Sequence, residues 1–251
     1  MIFLWNNLFN DYSTITANTT ATGYPVTNLQ DYQLEKKWRS VGSSSGWVKL
    51  QCGSTTIMVN YIAIAEHNFS TGATIKIQAG ASDSWASPTL DASLTYSTGI
   101  IMEAVTCASS FKWWRIYIDD TSNSDGYVEM GRPFLGTKLE LAFDQVLEFI
   151  LTKVDTSTKQ YSISGQGYGD EGIVYNLFQN VTFPVLSSTA KDDMDEMFAE
   201  VKKVKPVFML LHTGRSTELR PTYCSFVTDP SYTHIENLDY SLDKLSFRED
   251  K

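Results

Sequence analysis

The sequence predicts a mainly β protein, because aromatic and β-branched residues recur in short segments of alternating polarity. Aromatic residues make up 13% of the chain, a high share that favours sheet. The clearest strand is Phe111–Ile118, whose alternate residues fall into two sets: Trp113, Arg115 and Tyr117, and Trp114, Ile116 and Ile118. A period of two is typical of a half-buried strand. With 42% hydrophobic and 20% charged residues, the chain is expected to form a packed globular fold.

Short strands separated by turn residues fill the first half of the sequence and predict a β-sandwich. After a short apolar strand and an extended arm in residues 1–22, the predicted strands start at Trp38 and cover Trp47–Gln51, Ile57–Glu66 and Ala73–Ala79. Polar turns follow at residues 67–72 and 119–126. We expect Tyr127–Met130 to form a hairpin with the aromatic strand, and Phe134–Gly136 to lead out of the sandwich.

Four segments of the first half carry a family resemblance: GYPVTNLQDYQLEKKWRS, GWVKLQCG, IAIAEHNFSTGATIKIQA and FKWWRIYIDDTSNSDGYVEMGRPFLG. In this order they resemble the discoidin-like (galactose-binding-like) jelly rolls found in tail proteins of long-tailed bacteriophages. In that family a turn precedes a Trp-Arg strand, a His-Asn turn follows a glycine-ended strand, and an aromatic strand leads to a Gly-Arg pair. The resemblance covers roughly residues 1–136 and implies a sandwich used for recognition or assembly in a tail-tip or distal-tail protein.

The second half is predicted to be rich in β-structure. Val146–Val154 and Lys159–Ser164 are expected to pair as a hairpin. Further strands are predicted at Ile173–Leu186, Val207–Leu211, Thr222–Thr228 and Asn237–Arg248. In the last of these, the parity of the apolar residues changes at residues 243–244, which predicts a β-bulge. The order of elements is similar to that of small β-barrel or sandwich domains that build rings in phage tail tubes and tail tips.

One amphipathic helix is predicted over about residues 189–205. Ser188 or Thr189 is expected to cap it, and acidic residues crowd its first turns. Apolar residues at three- and four-residue steps define its buried face: Met194, Met197, Phe198, Val201 and Val204. Lysines at its C-terminal end complement the helix dipole before Pro206 ends the helix.

These patterns predict two domains with a boundary near residues 136–141. The first is a galactose-binding-like β-sandwich over residues 1–136, and the second is a β-barrel or sandwich assembly domain over residues 141–251. The second domain combines a small core with a long final strand whose edge would need a partner. We therefore expect the chain to form a closed homo-oligomeric ring or to pack against a tail ring.

Composition and charge narrow the range of partners. A net charge of −9 argues against nucleic-acid recognition, which needs clustered Lys and Arg. No apolar run approaches the roughly 20 residues that span a bilayer, and the N-terminus lacks the basic region and cleavage site of a signal peptide. Three scattered cysteines fit a reduced compartment better than a disulfide framework. We expect a protein made in a host cytoplasm, and the resemblance implies a final location in a virion tail.

Two groups of side chains are candidates for ligand binding. The turn after the aromatic strand offers oxygen ligands for a structural calcium ion, although the EF-hand template fails: Asp119, Asp120, Asn123 and Asp125. Solvated turn residues are the alternative interpretation. A set of aromatic residues belongs either to the core or to a platform for a sugar ring: Trp47, Trp85, Trp113, Trp114 and Tyr117. Trp85, in a polar loop, is the candidate glycan contact, whereas Trp38 and Trp113 are predicted to be buried.

Two motifs associated with catalysis are interpreted as loops. Gly42–Gly46 matches G-x-S-x-G but lies between two strands, not on the strand-to-helix turn of a nucleophile elbow. Gly167–Gly172 matches G-x-G-x-x-G, yet its two acidic residues would face the phosphates and a strand follows it. We predict no catalytic residue and no cofactor, and we expect that the protein is not an enzyme.

Three functions are weighed. The favoured one is a non-catalytic structural component of a bacteriophage tail, at the tail tip or distal tail, which assembles with other tail proteins and presents the sandwich outward. The alternative is a carbohydrate-binding adhesion module that recognises host surface glycans. An enzyme would need a convergent polar site, and the sequence shows none.

Overall fold

A computed structural model describes residues 1–12, 14–42, 45–141, 148–212, 220–235 and 239–251. The predicted fold class is confirmed, since the described chain is mainly β with two α-helices. It divides into two compact units. The sandwich unit comprises residues 2–140 and 208–222, and the helix unit comprises residue 1 together with residues 141–207 and 223–251. No helix in the described part of the chain is long and apolar enough to cross a membrane.

The elements up to residue 140 are β1 (Ile2–Leu4), α1 (Leu8–Asp11), β2 (Ile15–Ala17), a 3-10 helix (Val26–Gln30), β3 (Trp38–Arg39), β4 (Ser45–Gln51), β5 (Tyr61–Ala65), β6 (Thr74–Gly80), β7 (Leu90–Leu94), β8 (Ile101–Ala104), β9 (Trp113–Asp119), β10 (Glu129–Met130), β11 (Arg132–Gly136) and β12 (Leu139–Glu140). The remaining elements are β13 (Ile150–Asp155), β14 (Thr158–Tyr161), β15 (Gly167–Asp170), β16 (Val174–Leu186), α2 (Ser188–Val201), β17 (Val207–Leu210), β18 (Thr222–Phe226), β19 (Tyr232–His234) and β20 (Tyr240–Glu249).

Two antiparallel sheets form the sandwich. One has the order β2-β4-β9-β6-β7 and the other has the order β11-β5-β8. Their inner faces share one apolar core, to which these side chains belong: Val48, Leu50, Ile62, Ile64, Ile75, Ile77, Ile101, Trp114, Ile116, Ile118 and Leu135. Full burial of each such side chain contributes about 1.5–3 kcal/mol to stability. The alternation of apolar residues along β4 and β9 therefore determines which face of the five-stranded sheet points to the core.

Three details of the sandwich unit differ from the sequence-based expectation. β9 pairs with β4 and β6, not with the segment after its turn, and β10 pairs with β3. β11 does not leave the sandwich, because it pairs with β5 and is buried along its whole length. The arm expected in residues 1–22 contains the short helix α1, which Asn7 caps by accepting a hydrogen bond from the backbone N–H of Phe9.

The helix unit packs α2 against a sheet with the strand order β18-β20-β16-β13. β20 also pairs with β19, so the prediction that the last strand leaves an open edge is wrong. The predicted bulge is confirmed: two residues of β20, 243 and 244, lie between Leu242 and Leu245, where one residue of β16, Thr182, lies between their partners Phe183 and Val181. Lys244 adopts a left-handed φ of 57° at this bulge.

The helix α2 begins and ends earlier than predicted. Ser187, one residue before the expected caps, accepts a hydrogen bond from the backbone N–H of Ala190. The helix ends at Val201, so Val204 lies beyond it and is 80% exposed instead of lining the buried face. Met194 and Met197 are fully buried, as the apolar spacing predicted.

A long two-stranded ribbon replaces the hairpin expected at residues 146–164. β13 pairs with β16, and the intervening β14 and β15 pair with each other, so the two strand pairs follow one another along the ribbon. We call residues 150–179 the ribbon, which comprises β13, β14, β15 and the part of β16 that pairs with β13. Of the first predicted strand, residues 146 and 147 lie outside the described residues.

Candidate functional site

The outer face of the five-stranded sheet carries an unusual mixture of aromatic and charged side chains. The register of β4 and β9 places Trp47 opposite Tyr117, Lys49 opposite Arg115, and Gln51 opposite Trp113. On β6, Gln78 lies opposite Arg115, and β7 adds Asp91 beside Gln78. The loop after β6 supplies two further residues. We call this group the outer-face cluster: Trp47, Lys49, Lys76, Gln78, Asp83, Trp85, Asp91, Trp113, Arg115 and Tyr117.

The sequence left open which aromatic residues belong to the core and which to a ligand platform. Their burial in the structure separates the two groups. Trp114 lies in the core with no exposed surface, and so does Trp38, as predicted. The expectation that Trp113 is buried in the core is wrong, because its side chain is half-buried on the outer face. The reason is strand parity: Trp114, not Trp113, shares its face with the apolar residues of β9.

Cations separate the aromatic rings of the outer-face cluster. The Lys49 Nζ atom lies 5.1 Å from the centre of the Trp47 ring and 5.4 Å from that of Trp113. The guanidinium carbon of Arg115 lies 4.4 Å from the centre of the Trp85 ring. Such cation–π contacts contribute about 0.5–1 kcal/mol each at exposed sites. They hold the rings on the sheet surface, where each of these side chains is partly exposed.

Hydrogen bonds order the polar side chains of the cluster into a row. Arg115 donates from Nε and Nη2 to Gln78 Oε1 at 2.7 and 2.5 Å. Gln78 Nε2 donates to Asp91 Oδ1 at 3.0 Å, and Lys76 Nζ donates to Asp91 Oδ2 at 3.0 Å. The hydrogen bonds from Lys76 and Gln78 lower the pKa of Asp91, so its carboxylate is ionised at neutral pH.

The loop after β6 is tied to the same face by Asp83. Its carboxylate forms an ion pair with Lys49 and accepts a hydrogen bond from Trp85 Nε1 at 2.5 Å. Burial acts to raise the pKa of Asp83, but the hydrogen bonds from Lys49 and Trp85 outweigh it and the pKa is lowered. The hydrogen bond to Asp83 holds Trp85 over the guanidinium group of Arg115, and the Trp85 side chain is therefore half-buried.

The turn proposed as a calcium site uses its oxygen atoms within the fold. Asp120 is fully buried and accepts hydrogen bonds from the backbone N–H and the hydroxyl of Ser70 at 2.7 and 2.5 Å. Asn123 and Asp125 both bond to Asn68, and Asp119 ends β9. Across the described residues, no group of three or more His, Cys, Asp or Glu side chains is placed to hold a metal ion. The hydrogen bonds of this turn connect two loops, residues 67–72 and 119–126.

The structure describes the two catalysis-like motifs to different extents. Ser43 and Ser44 of the G-x-S-x-G match lie outside the described residues. Gly167–Asp170 of the glycine-rich match forms β15, and the next element is the strand β16, not a helix. Burial raises the pKa of Cys52 to about 11 and also raises the pKa of Cys224, so both thiols are protonated at neutral pH.

Sequence reasoning identified the aromatic members of the outer-face cluster but not its polar ones. Strand parity groups Arg115 with Trp113 and Tyr117, and Lys49 with Trp47, but parity alone does not mark either cation as a member of a site. Gln78, Asp83 and Asp91 join the cluster only through the pairing register of three strands and the path of one loop. Neither of these features is encoded in a local pattern.

Comparisons with known proteins found no matching family model and no matching curated protein. Among solved structures, a chitosan-binding module from a Paenibacillus sp. IK-5 chitosanase/glucanase aligns with a TM-score of 0.41 at 20% identity, over 53% of this chain and 99% of that one. A fucose-binding module of Streptococcus pneumoniae aligns with a TM-score of 0.42 at 9% identity, over 53% of this chain and 98% of that one. The family 32 carbohydrate-binding module of C. perfringens NanJ, in complex with galactose, aligns with a TM-score of 0.41 at 12% identity, over 54% of this chain and 98% of that one. Likeness at this level establishes neither a shared family nor a shared ligand.

Proposed function

We propose that the chain is a non-catalytic carbohydrate-binding protein and that the outer-face cluster is its glycan site. The observation that carries the proposal is the half-buried state of Trp47, Trp85, Trp113 and Tyr117 on one solvent-facing sheet surface. Aromatic rings are enriched at binding interfaces because they supply a large rigid apolar face beside a wet edge. A sugar ring offers a matching apolar C–H face and a rim of hydroxyl groups.

The polar groups of the cluster retain donors for such hydroxyl groups. Arg115 has five N–H donors, of which the bonds to Gln78 use two within the described chain. Lys49 has three donors and makes one hydrogen bond there, to Asp83. Both cations lie against aromatic faces, so a sugar that stacks on Trp85 or Trp113 would find a charged donor within reach. The arrangement binds and orients a ligand but offers no nucleophile paired with a base.

The test is a glycan array followed by titration calorimetry on the full chain, with two variants. Trp85→Ala is expected to reduce the affinity for the glycan about tenfold, which corresponds to about 1.4 kcal/mol for one lost stacking contact. Tyr32→Ala is the matched control, because its ring also covers an arginine, Arg132, at 4.7 Å but lies outside the cluster. An array without binding, or equal affinities for wild type and Trp85→Ala, would refute the proposal.

A second candidate function is a structural component of a bacteriophage tail, located in the virion. The ribbon supports it, because a long exposed arm is unnecessary for a simple binding module but useful for assembly. The sandwich would then face outward and bind host glycans, so the two functions are compatible. Mass spectrometry of purified virions should detect the protein in stoichiometric amounts, and deletion of its gene should give defective tails. Normal infectious particles without the protein would exclude this role.

A further inference from the structure

The distal part of the ribbon exposes apolar side chains on both of its faces. Tyr161 is 67% exposed and Tyr168 is 59% exposed, while Ile163 at the tip is fully exposed. Tyr161 lies opposite Gly167, and Tyr168 lies opposite Gln160, so the two tyrosines project from opposite faces. The distal ribbon therefore presents one tyrosine on each face and an exposed isoleucine at its tip.

An arm of this kind is poorly stabilised by its own contacts. An isolated two-stranded β-structure is marginally stable in water, because it lacks a core to bury its side chains. Among the described strands, β14 and β15 pair only with each other, and every residue of both is exposed. Clustered exposed apolar residues usually mark an interaction surface. A partner that covers the tip would supply the missing burial.

The helix unit also contains an apolar groove, at the C-terminal end of α2. The groove has a volume of about 490 Å³ and is lined by these residues: Phe198, Ala199, Lys202, Lys203, Val204 and Asp229. Phe198 forms part of it and packs edge-on against Phe226, with the ring centres 5.3 Å apart. Val204, just beyond the helix, is 80% exposed at the same place. A volume of roughly 300–1,000 Å³ accommodates a group of several side chains or a small ligand.

The unpaired charges of the outer ribbon and of the groove are opposite in net sign. On the ribbon, Asp170, which lies opposite Thr158 at the end of the β14–β15 pair away from the turn, and Glu171 outnumber Lys159, whose Nζ lies over the Tyr161 ring. Asp170 and Glu171 follow Tyr168 and are exposed, and neither side chain forms an ion pair within the described chain. At the groove, Lys202 is exposed and likewise forms no ion pair among the described residues, while Lys203 pairs with Asp229 at 3.0 Å. An unpaired cation at one surface and two unpaired carboxylates at the other would attract each other on approach.

We propose that the ribbon tip of one copy docks into the α2 groove of a second copy of this chain. Ile163 and Tyr168 would cover Phe198 and Val204, and Lys202 would face Asp170 and Glu171. Since the ribbon and the groove are different surfaces, the contact is head-to-tail and leaves each pair with one free ribbon and one free groove. Successive contacts close into a ring or extend into a filament. The inference is independent of glycan binding, because both surfaces belong to the helix unit.

The test uses two exposed substitutions in the full chain, Ile163→Asp in the ribbon and Val204→Asp in the groove. Wild type is expected to form species larger than a dimer in native mass spectrometry and sedimentation velocity. Each variant alone is expected to be monomeric, because one of its two surfaces is disabled. Mixing the two variants should yield a 1:1 dimer and nothing larger, since only one intact ribbon and one intact groove remain. Val227→Asp, at an apolar residue that is 44% exposed and outside both surfaces, is the matched control and should assemble like wild type.

Charge reversal provides a second measurement. Lys202→Glu or Glu171→Lys alone should weaken assembly at least threefold at low salt, and the double variant on one chain should recover most of the loss. A wild type that is monomeric at all concentrations, or a mixture that gives no dimer, would overturn the proposal. So would assembly that survives Ile163→Asp. Thermal unfolding of each variant shows whether a loss of assembly results from a loss of folding. The glycan array tests the proposed glycan site independently, so failure of the docking proposal is distinguishable from failure of the glycan-binding proposal.

Discussion

Single residues of this protein show how strand parity decides whether a side chain lies in the core or on the surface. Trp113 and Trp114 are neighbours in sequence, yet Trp114 has no exposed surface and Trp113 is half-buried beside Lys49. Successive residues of a strand point to opposite faces of the sheet. The same residue type therefore supplies core packing at one position and part of the solvent-facing surface at the next.

Trp38 is the residue at which we expect the largest loss of stability in the sandwich. Its side chain is fully buried, and its Nε1 donates a hydrogen bond to the carbonyl of Thr19 at 3.0 Å. Gly46 makes room for the ring, because a Cβ atom at this position would lie 2.8 Å from Trp38 Cη2. Trp38→Ala should lower the free energy of unfolding by about 3–5 kcal/mol in urea titrations. Trp113→Ala is the control and should cost clearly less, and equal losses would contradict the assignment of the two faces.

His67 is expected to make stability depend on pH just below neutrality. Burial lowers the pKa of His67 below 6.5 and outweighs the opposite effect of backbone hydrogen bonds at Gly99 and Ser97. Its Nδ1 accepts a hydrogen bond from the backbone N–H of Phe69 at 3.3 Å, which requires the neutral ring. When the pH falls through 6.5 toward the lower folded-state pKa, the unfolded chain gains a proton before the folded chain does. The free energy of unfolding therefore falls, by at most about 1.4 kcal/mol per pH unit.

Urea titrations at about pH 7.5 and 5.5 measure this effect, since carboxylates with pKa values near 4 titrate little in that window. His67→Gln should reduce the loss of stability between the two pH values. His234→Gln, at an exposed residue on β19, should leave the wild-type pH dependence unchanged. A His67→Gln variant with the full wild-type loss would show that another group is responsible.

At the scale of elements, the start of α2 depends on one side chain. The Ser187 hydroxyl satisfies a backbone N–H of the first turn, which would otherwise lack a partner in the helix. Ser187→Ala should lower the free energy of unfolding by about 1 kcal/mol. Ser188→Ala removes the same hydroxyl one residue later, inside the helix, and should change stability little. Chemical denaturation of both variants distinguishes the two positions, and the reverse order of effects would place the cap at Ser188.

At the scale of the whole molecule, the sandwich unit is completed by a segment distant in sequence. β1 pairs with β17, with Phe3 opposite Met209, and the rings of Phe134 and Phe208 lie 6.3 Å apart. These contacts belong to one compact unit, although residues 141–206 separate β12 from β17 in the sequence. The domain limits expected from the sequence, 1–136 and 141–251, remain a prediction that fragments can test.

A fragment of residues 1–140 should be less stable than the same fragment fused through a Gly/Ser linker to residues 206–212. Without β17, the edge of β1 is unpaired and Phe134 loses a covering ring. Because burial of each large apolar side chain contributes about 1.5–3 kcal/mol, we expect a difference of at least about 3 kcal/mol in denaturant titrations. Equal stability of the two fragments would show that β17 is dispensable for the sandwich.

The sequence by itself determined the features that depend on local pattern. The β class, the parity of β9, the buried face of α2 at Met194 and Met197, and the bulge near Lys244 all follow from spacing within one segment. Only the tertiary structure decided the pairing of β9 with β4 and β6, the gathering of Gln78, Asp83 and Asp91 around Arg115, and the exposure of the ribbon. The physical reason is that periodicity fixes which side of an element is apolar, whereas the partner of each face is chosen by long-range packing of the whole chain.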